Sequence, residues 1–206
     1  MFKRKCKITY ICHGATVYSE DSRLCHDEKY PPLEESGQEE IQKICEYIKC
    51  RGVKSDKIYS APATRCIQSA RMVAKVFKQD FEILSDLSSR NWGDWNGLTL
   101  DKVVSKYNLK YDDSLPSILA LTPENGESMK SFNTRINKII SNLVEDNSGC
   151  RLTIVTGPNI IQSVVASTLG IPEEMQARIL IKTGSATQIS YFGNWSSLIY
   201  SGVVPL

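Results

Sequence analysis

The sequence predicts an α/β fold, a three-layer α/β/α sandwich with a largely parallel sheet, and two observations carry that prediction. Short β-branched and aromatic runs such as Ile8-Thr9-Tyr10-Ile11 and Leu152-Thr153-Ile154-Val155 read as buried strands. After each comes a turn and then an apolar stripe at helical spacing, so strand, turn and helix recur along the chain. Such a fold binds its ligands at the strand ends that carry the connecting loops.

Composition sets the outer bounds. The 206 residues, 41% of them hydrophobic, suffice for a full core, and their length fits one domain over residues 1–206. Basic residues number 25 and acidic ones 23, scattered along the chain, so no extended basic face for nucleic acid is expected. Lys3, Arg4, Lys5 and Lys7 read as a solvated flank. The apolar stretch after them is too short for a secretory signal, and no run of about 18 apolar residues exists to span a membrane. Seven cysteines, an odd number without tight repeats, fit reduced thiols better than a disulfide framework. A cytoplasmic protein without a nucleic-acid or membrane partner is therefore expected. Cys25-His26 lacks a CxxC partner pair, so neither a zinc site nor any other metal or cofactor is anticipated.

In chain order, the first strand ends at Cys12-His13-Gly14, which leaves His13 on a loop. Ala15 to Pro32 is a long polar loop of the kind that carries function. Ile41, Ile44, Cys45 and Ile48 mark a helix over 37–51, stopped by Gly52. Lys57 to Ser60 is a strand, Ala61-Pro62 breaks it, and Thr64 to Phe77 is a second helix. A short strand is expected over 81–84, a loop with two tryptophans over 86–97, and a short helix over 100–107. Residues 108–126 are irregular or partly helical. Met129, Phe132, Ile136, Ile140 and Leu143 lie on one face of a helix over 127–144. The strand 152–155 and the helix 159–169 follow, and strands at 186–192 and 197–200 close the chain. His13, the segment Ser60 to Arg65 and the segment Thr156 to Asn159 all follow strands, so the fold class brings them together.

Several landmarks, taken in order, then carry a resemblance. They are Cys12-His13-Gly14-Ala15-Thr16, Pro32-Leu33 ahead of Ser36-Gly37, and Ser60-Ala61-Pro62-Ala63-Thr64-Arg65. Trp92-Gly93-Asp94-Trp95-Asn96-Gly97, Gly126-Glu127-Ser128 with Arg135, and Leu152 to Gly157 complete the set. From about Cys6 to Tyr200 the chain resembles the histidine phosphatase superfamily, the phosphoglycerate mutase-like group. The resemblance implies transfer of a phosphoryl group from substrate to a histidine, then to water or another acceptor. In that family two arginines and a second histidine hold the phosphate, and an acidic residue protonates the leaving oxygen.

His13 matches the nucleophile position and Arg65 the second arginine. Elsewhere the pattern breaks. The first arginine is replaced by Cys12, a neutral thiol without a bidentate fork. An asparagine position aligns with Ser19, the acid position with Ser89, and the second histidine with Gly157. A serine hydroxyl is far too weak an acid to replace a carboxyl near neutrality. Each lost group is worth on the order of 10² to 10⁴ in rate, so the three together remove about 10⁶. Uncatalysed monoester hydrolysis is slow enough that a residual enzyme still outpaces water.

The leading expectation is a degenerate member, a pseudoenzyme whose pocket of His13, Arg65, Cys12, Thr16, Ser19, Ser89, Thr156 and Gly157 binds a small phosphorylated, anionic or polar ligand, or a protein partner. The alternative is a weak or specialised phosphomonoester phosphatase or mutase with His13 as phospho-acceptor. Plainer roles stand beside these: Arg65 pairing a local carboxylate, Trp92 and Trp95 as packing, Cys12 as a small filler, and Glu34, Glu35, Glu39 and Glu40 as a solvated helix start. A cysteine-phosphatase loop is ruled out, because the sixth residue after Cys12 is Tyr18 rather than arginine.

Overall fold

Strand β1 (Cys6–Cys12) runs through the interior of a six-stranded sheet. The computed structural model describes residues 5–26, 30–109 and 115–205. The further strands are β2 (Lys57–Ser60), β3 (Glu82–Ile83), β4 (Arg151–Thr156), β5 (Ala186–Tyr191) and β6 (Ser196–Val203), in the spatial order β3-β2-β4-β1-β5-β6. The first four in that order are parallel, with Cys12 opposite Thr156 and Ser60 opposite Val155. β5 runs antiparallel to β1, and β6 antiparallel to β5. The sheet is thus mixed, because β5 and β6 are joined by a tight turn too short for a parallel crossover.

Helices cover both faces, as the fold class requires. They are α1 (Val17–Glu20), α2 (Glu35–Cys50), α3 (Thr64–Phe77), α4 (Leu100–Lys106), α5 (Leu115–Ala120), α6 (Met129–Asp146) and α7 (Pro158–Leu169). Successive strand residues point to opposite faces. Ile8, Tyr10 and Cys12 accordingly join Leu152 and Ile154 beneath α6 and α7, through Phe132, Ile136, Ile160 and Val164. Ile11 and Val155 face the other way, against Ile41, Ile44 and Ile48 of α2 and Val73 of α3. A smaller cluster of Trp92, Trp95, Val103 and Ile118 gives both tryptophans a packing role.

The elements at 57–60 and 64–77 have the predicted bounds, and the other strands and long helices differ from expectation by a few residues at their ends. Four elements escaped the sequence reading: α1, within the loop at 15–32, and 3-10 helices over Ser85–Leu87, Gly93–Trp95 and Glu173–Arg178. Part of that loop, part of the segment 108–126, and Lys3 and Arg4 of the basic N-terminal flank lie outside the described residues. Within 108–126, α5 supplies the partial helix. No helix among the described residues is long and apolar enough to cross a membrane.

Candidate active site

β1, β4 and β2 end side by side, and the loops after them carry His13, Gly157 and the segment leading to Arg65. The His13 amide donates to the Thr156 carbonyl at 3.0 Å, while the Gly184 amide donates to the His13 carbonyl at 3.0 Å. These bonds continue the ladder one residue past β1, so the loop starts from a rigid base. Gly14 is required by contact: a Cβ there would lie 2.0 Å from the Gly37 carbonyl oxygen at the start of α2. The Gly14 amide donates to Ser69 Oγ (3.3 Å) and the Ala15 amide to the Glu40 carboxylate (2.8 Å). Glu40 also accepts from Thr183 Oγ1 at 3.0 Å. It is therefore half-buried bracing behind the histidine loop, not a member of a solvated charge run.

The imidazole of His13 is buried, and its Nδ1 lies 2.8 Å from the Gly14 carbonyl oxygen. A carbonyl only accepts, so Nδ1 carries the proton and the lone pair of the neutral ring is on Nε2. Burial, followed by the positive charge of Arg65, lowers the His13 pKa to about 3, against a smaller upward push from the Gly14 bond. The ring is thus neutral near pH 7, the form in which nitrogen attacks phosphorus.

This depression has a consequence for stability. Between about pH 6.5 and 3 the unfolded chain binds a proton at this position that the folded chain does not, so stability is complete above the unfolded pKa and falls as pH drops. The slope is on the order of 1 kcal/mol per pH unit. Urea unfolding across this range is expected to show a flatter acid limb in His13→Asn than in the parent; parallel limbs would contradict the assignment.

A cavity of about 290 Å³ opens beside this ring. Among the expected residues, His13, Thr16, Ser19, Arg65 and Ser89 line it. Arg65, at the second position of α3, is buried at 3% exposure, and α7 contributes Pro158 and Asn159 from its N-terminal end. Helix N-termini favour anions at such a place. Thr16 and Ser19 are engaged with each other in a capping box at α1: the Ser19 amide donates to Thr16 Oγ1 and the Thr16 amide to Ser19 Oγ.

Three expected pocket residues take other places. Cys12 falls on the α6/α7 face of β1 by strand alternation and is fully buried in the core, where desolvation pushes its thiol pKa well up. That is the filler role. Thr156 is likewise fully buried and does not line the cavity, and its Oγ1 has no hydrogen-bond partner. Gly157 is not among the lining residues, yet its missing side chain points into the site. A Cβ there would sit 3.4 Å from Ser89 Oγ, 3.3 Å from Asn159 Oδ1 and 4.0 Å from His13 Cδ2.

The sequence reading did not reach the rest of the wall. Arg23, Leu24 and Cys25 come from the loop after α1, Leu119 from α5, and Ile179, Leu180 and Ile181 from the chain after the 3-10 helix. The only available signal was the length and polarity of the loop at 15–32. His26, in the same loop, donates from Nδ1 to the Ser89 carbonyl at 3.0 Å and from its amide to Asn96 Oδ1 at 2.7 Å. It ties the loop to the segment carrying Ser89 and does not line the cavity. No carboxylate lines the cavity among the described residues.

Known proteins share this fold. The chain is 26% identical over 186 residues to the 2,3-bisphosphoglycerate-dependent phosphoglycerate mutase of Parvibaculum lavamentivorans, covering 86% of this chain and 87% of the mutase. It is 21% identical to the adenosylcobalamin/alpha-ribazole phosphatase of Escherichia coli, covering 93% of each. Among solved structures, YhfR of Bacillus stearothermophilus superposes with a TM-score of 0.86 at 20% identity, over 97% of this chain and 98% of that one. The alpha-ribazole phosphatase of Shigella flexneri superposes with a TM-score of 0.81 at 21% identity, over 96% of each. At such identities the superpositions establish the α/β/α fold alone. The family description "Histidine phosphatase superfamily (branch 1)" matches residues 8–199, nearly the whole sheet and every strand-end loop of the site, and the chain belongs to that superfamily.

Proposed function

We propose that this chain is a catalytically reduced histidine phosphatase whose pocket binds a small anionic ligand and does not turn over ordinary alkyl phosphomonoesters. The observation that carries this reading is the cavity's composition: His13, Arg65 and Ser89, the last aligned with the family's acid, line it, and no carboxylate does so among the described residues. Expulsion of an alkoxide without a proton donor forfeits about 10² to 10⁴ in rate. The mutase and phosphatase relatives are named for small phosphorylated molecules, which supports an anionic ligand. None of the seven cysteines is joined in a disulfide, which supports a cytoplasmic setting.

The neutral state of His13 favours a second reading, residual phosphoryl transfer from donors whose leaving group needs no proton. With p-nitrophenyl phosphate, Nε2 would form the P–N bond as the P–O bond breaks. The nitrophenolate would leave as an anion, and water would then cleave the P–N bond. Steady-state assays of the parent and His13→Ala separate these readings. Glycerol phosphate is expected to give no turnover above His13→Ala. Efficient hydrolysis of glycerol phosphate, abolished by His13→Ala, would overturn the pseudoenzyme reading. An acid-labile phosphate on His13, formed from the aryl ester alone, would establish the residual activity.

A further inference from the structure

We infer that Glu40 is a positioning residue for His13: acting through the Gly14–Ala15 peptide, its carboxylate fixes which imidazole nitrogen keeps the lone pair. This rests on His13 as the reacting side chain, the second reading above, and adds the group that decides which of its nitrogens reacts.

Three groups form one chain of hydrogen bonds. The Ala15 amide donates to Glu40 Oε2 at 2.8 Å, and the Gly14 carbonyl oxygen lies 2.8 Å from His13 Nδ1. That amide and that carbonyl are the two ends of a single peptide unit, and in a trans peptide they point in opposite directions. The carboxylate therefore accepts at one end while the imidazole N–H donates at the other. A bond to a charged acceptor is stronger than one to a neutral group, and bonds in a chain polarise one another, so Glu40 makes the Gly14 oxygen a better acceptor. A better acceptor favours the proton on Nδ1 and the lone pair on Nε2. No proton passes along the chain; it sets a tautomer.

The surroundings hold the carboxylate in place. Its other oxygen, Oε1, accepts from Thr183 Oγ1 at 3.0 Å, and the amide of the next residue, Gly184, donates to the His13 carbonyl at 3.0 Å. Gly184 has φ +57°, and a Cβ there would lie 2.5 Å from Glu40 Cβ, so glycine is what lets this segment approach the glutamate stem. The close packing of Gly14 on Gly37 already constrains where the histidine loop lies. What the carboxylate adds is a charged acceptor at the far end of the peptide.

Long-range proton–nitrogen correlation NMR of the full chain distinguishes the two tautomers, with the His13 signals identified by their absence in His13→Asn. The parent is expected to show Nδ1–H and an unprotonated Nε2. Glu40→Gln keeps both contacts, since the amide oxygen accepts from Ala15 and the amide nitrogen donates to the Thr183 hydroxyl. It is expected to keep the tautomer but to move the Nδ1 proton resonance upfield, because a neutral amide polarises the peptide less. Glu40→Ala is expected to populate the Nε2–H tautomer and to slow phosphorylation of His13 by p-nitrophenyl phosphate about tenfold or more, since the wrong tautomer offers phosphorus no lone pair at Nε2. An Nδ1 proton resonance unchanged in Glu40→Gln would overturn the inference, as would an unchanged tautomer in a folded Glu40→Ala. Failure of the parent to form phosphohistidine from the aryl ester, with the NMR changes as expected, would instead overturn the residual-transfer reading beneath.

Discussion

The double variant Ser89→Glu/Gly157→His is expected to hydrolyse glycerol phosphate faster than the parent by about 10³-fold or more, since a placed acid contributes roughly 10² to 10⁴ and an electrostatic donor about 10² to 10³. The backbone permits both changes. Gly157 has φ −91° and ψ 163°, an extended conformation open to any residue. A Cβ at this position meets Asn159 Oδ1 at 3.3 Å and Ser89 Oγ at 3.4 Å, two side-chain ends that can give by the few tenths of an ångström needed. The introduced imidazole would then enter the site on the side of the His13 ring that carries Cδ2. Ser89 is tied to His26 through its carbonyl, so replacing its side chain keeps that bond.

Restoring arginine at position 12 is a different experiment. Cys12 shares the core with Ile8 and Tyr10 and has no exposed surface. A guanidinium there would overpack the core, at about 1–3 kcal/mol, and bury a charge as well. Cys12→Arg therefore tests folding more than chemistry, and the double variant is the cleaner probe. Steady-state kinetics decides the matter. No gain in a folded double variant that still binds inorganic phosphate would mean that positions 89 and 157 are not where the chemistry was lost.

What could be read from the sequence and what could not follow the range of the interactions involved. The β2 and α3 bounds were legible because Ala61-Pro62 punctuates two clear periodicities. His13 and Arg65 were legible as a group because strand-end loops of an α/β sheet converge, whereas Ser89 was placed by the family resemblance alone. The burial of Cys12 follows from the same alternation that put Ile8 and Tyr10 in the core, yet family alignment drew it into the pocket. Glu40 looked like one of several solvated glutamates, since nothing local shows that its carboxylate reaches Ala15 and Thr183. The wall at Leu119 and Ile179 to Ile181 was out of reach because neither segment has a regular period, and their meeting is set by tertiary packing alone.

Arg90→Met is expected to destabilise the fold by about 3 kcal/mol or more, and the structure explains why a residue beside the pocket carries so much. Arg90 is 1% exposed, and its guanidinium donates to three backbone carbonyls: Glu127 at 2.9 Å, Leu119 at 2.5 Å and Leu121 at 2.7 Å. Burial lowers its pKa to about 10, still charged at neutrality, and it lies 4.5 Å over the Trp92 ring. Methionine fills much of the volume but donates no hydrogen bond, so the carbonyls lose a charged donor that backbone groups alone do not replace. Two of the groups released, Trp92 and Leu119, belong to the apolar wall, while His13 and Arg65 are held independently by β1, α3 and their own loops. Chemical denaturation reads the loss of stability.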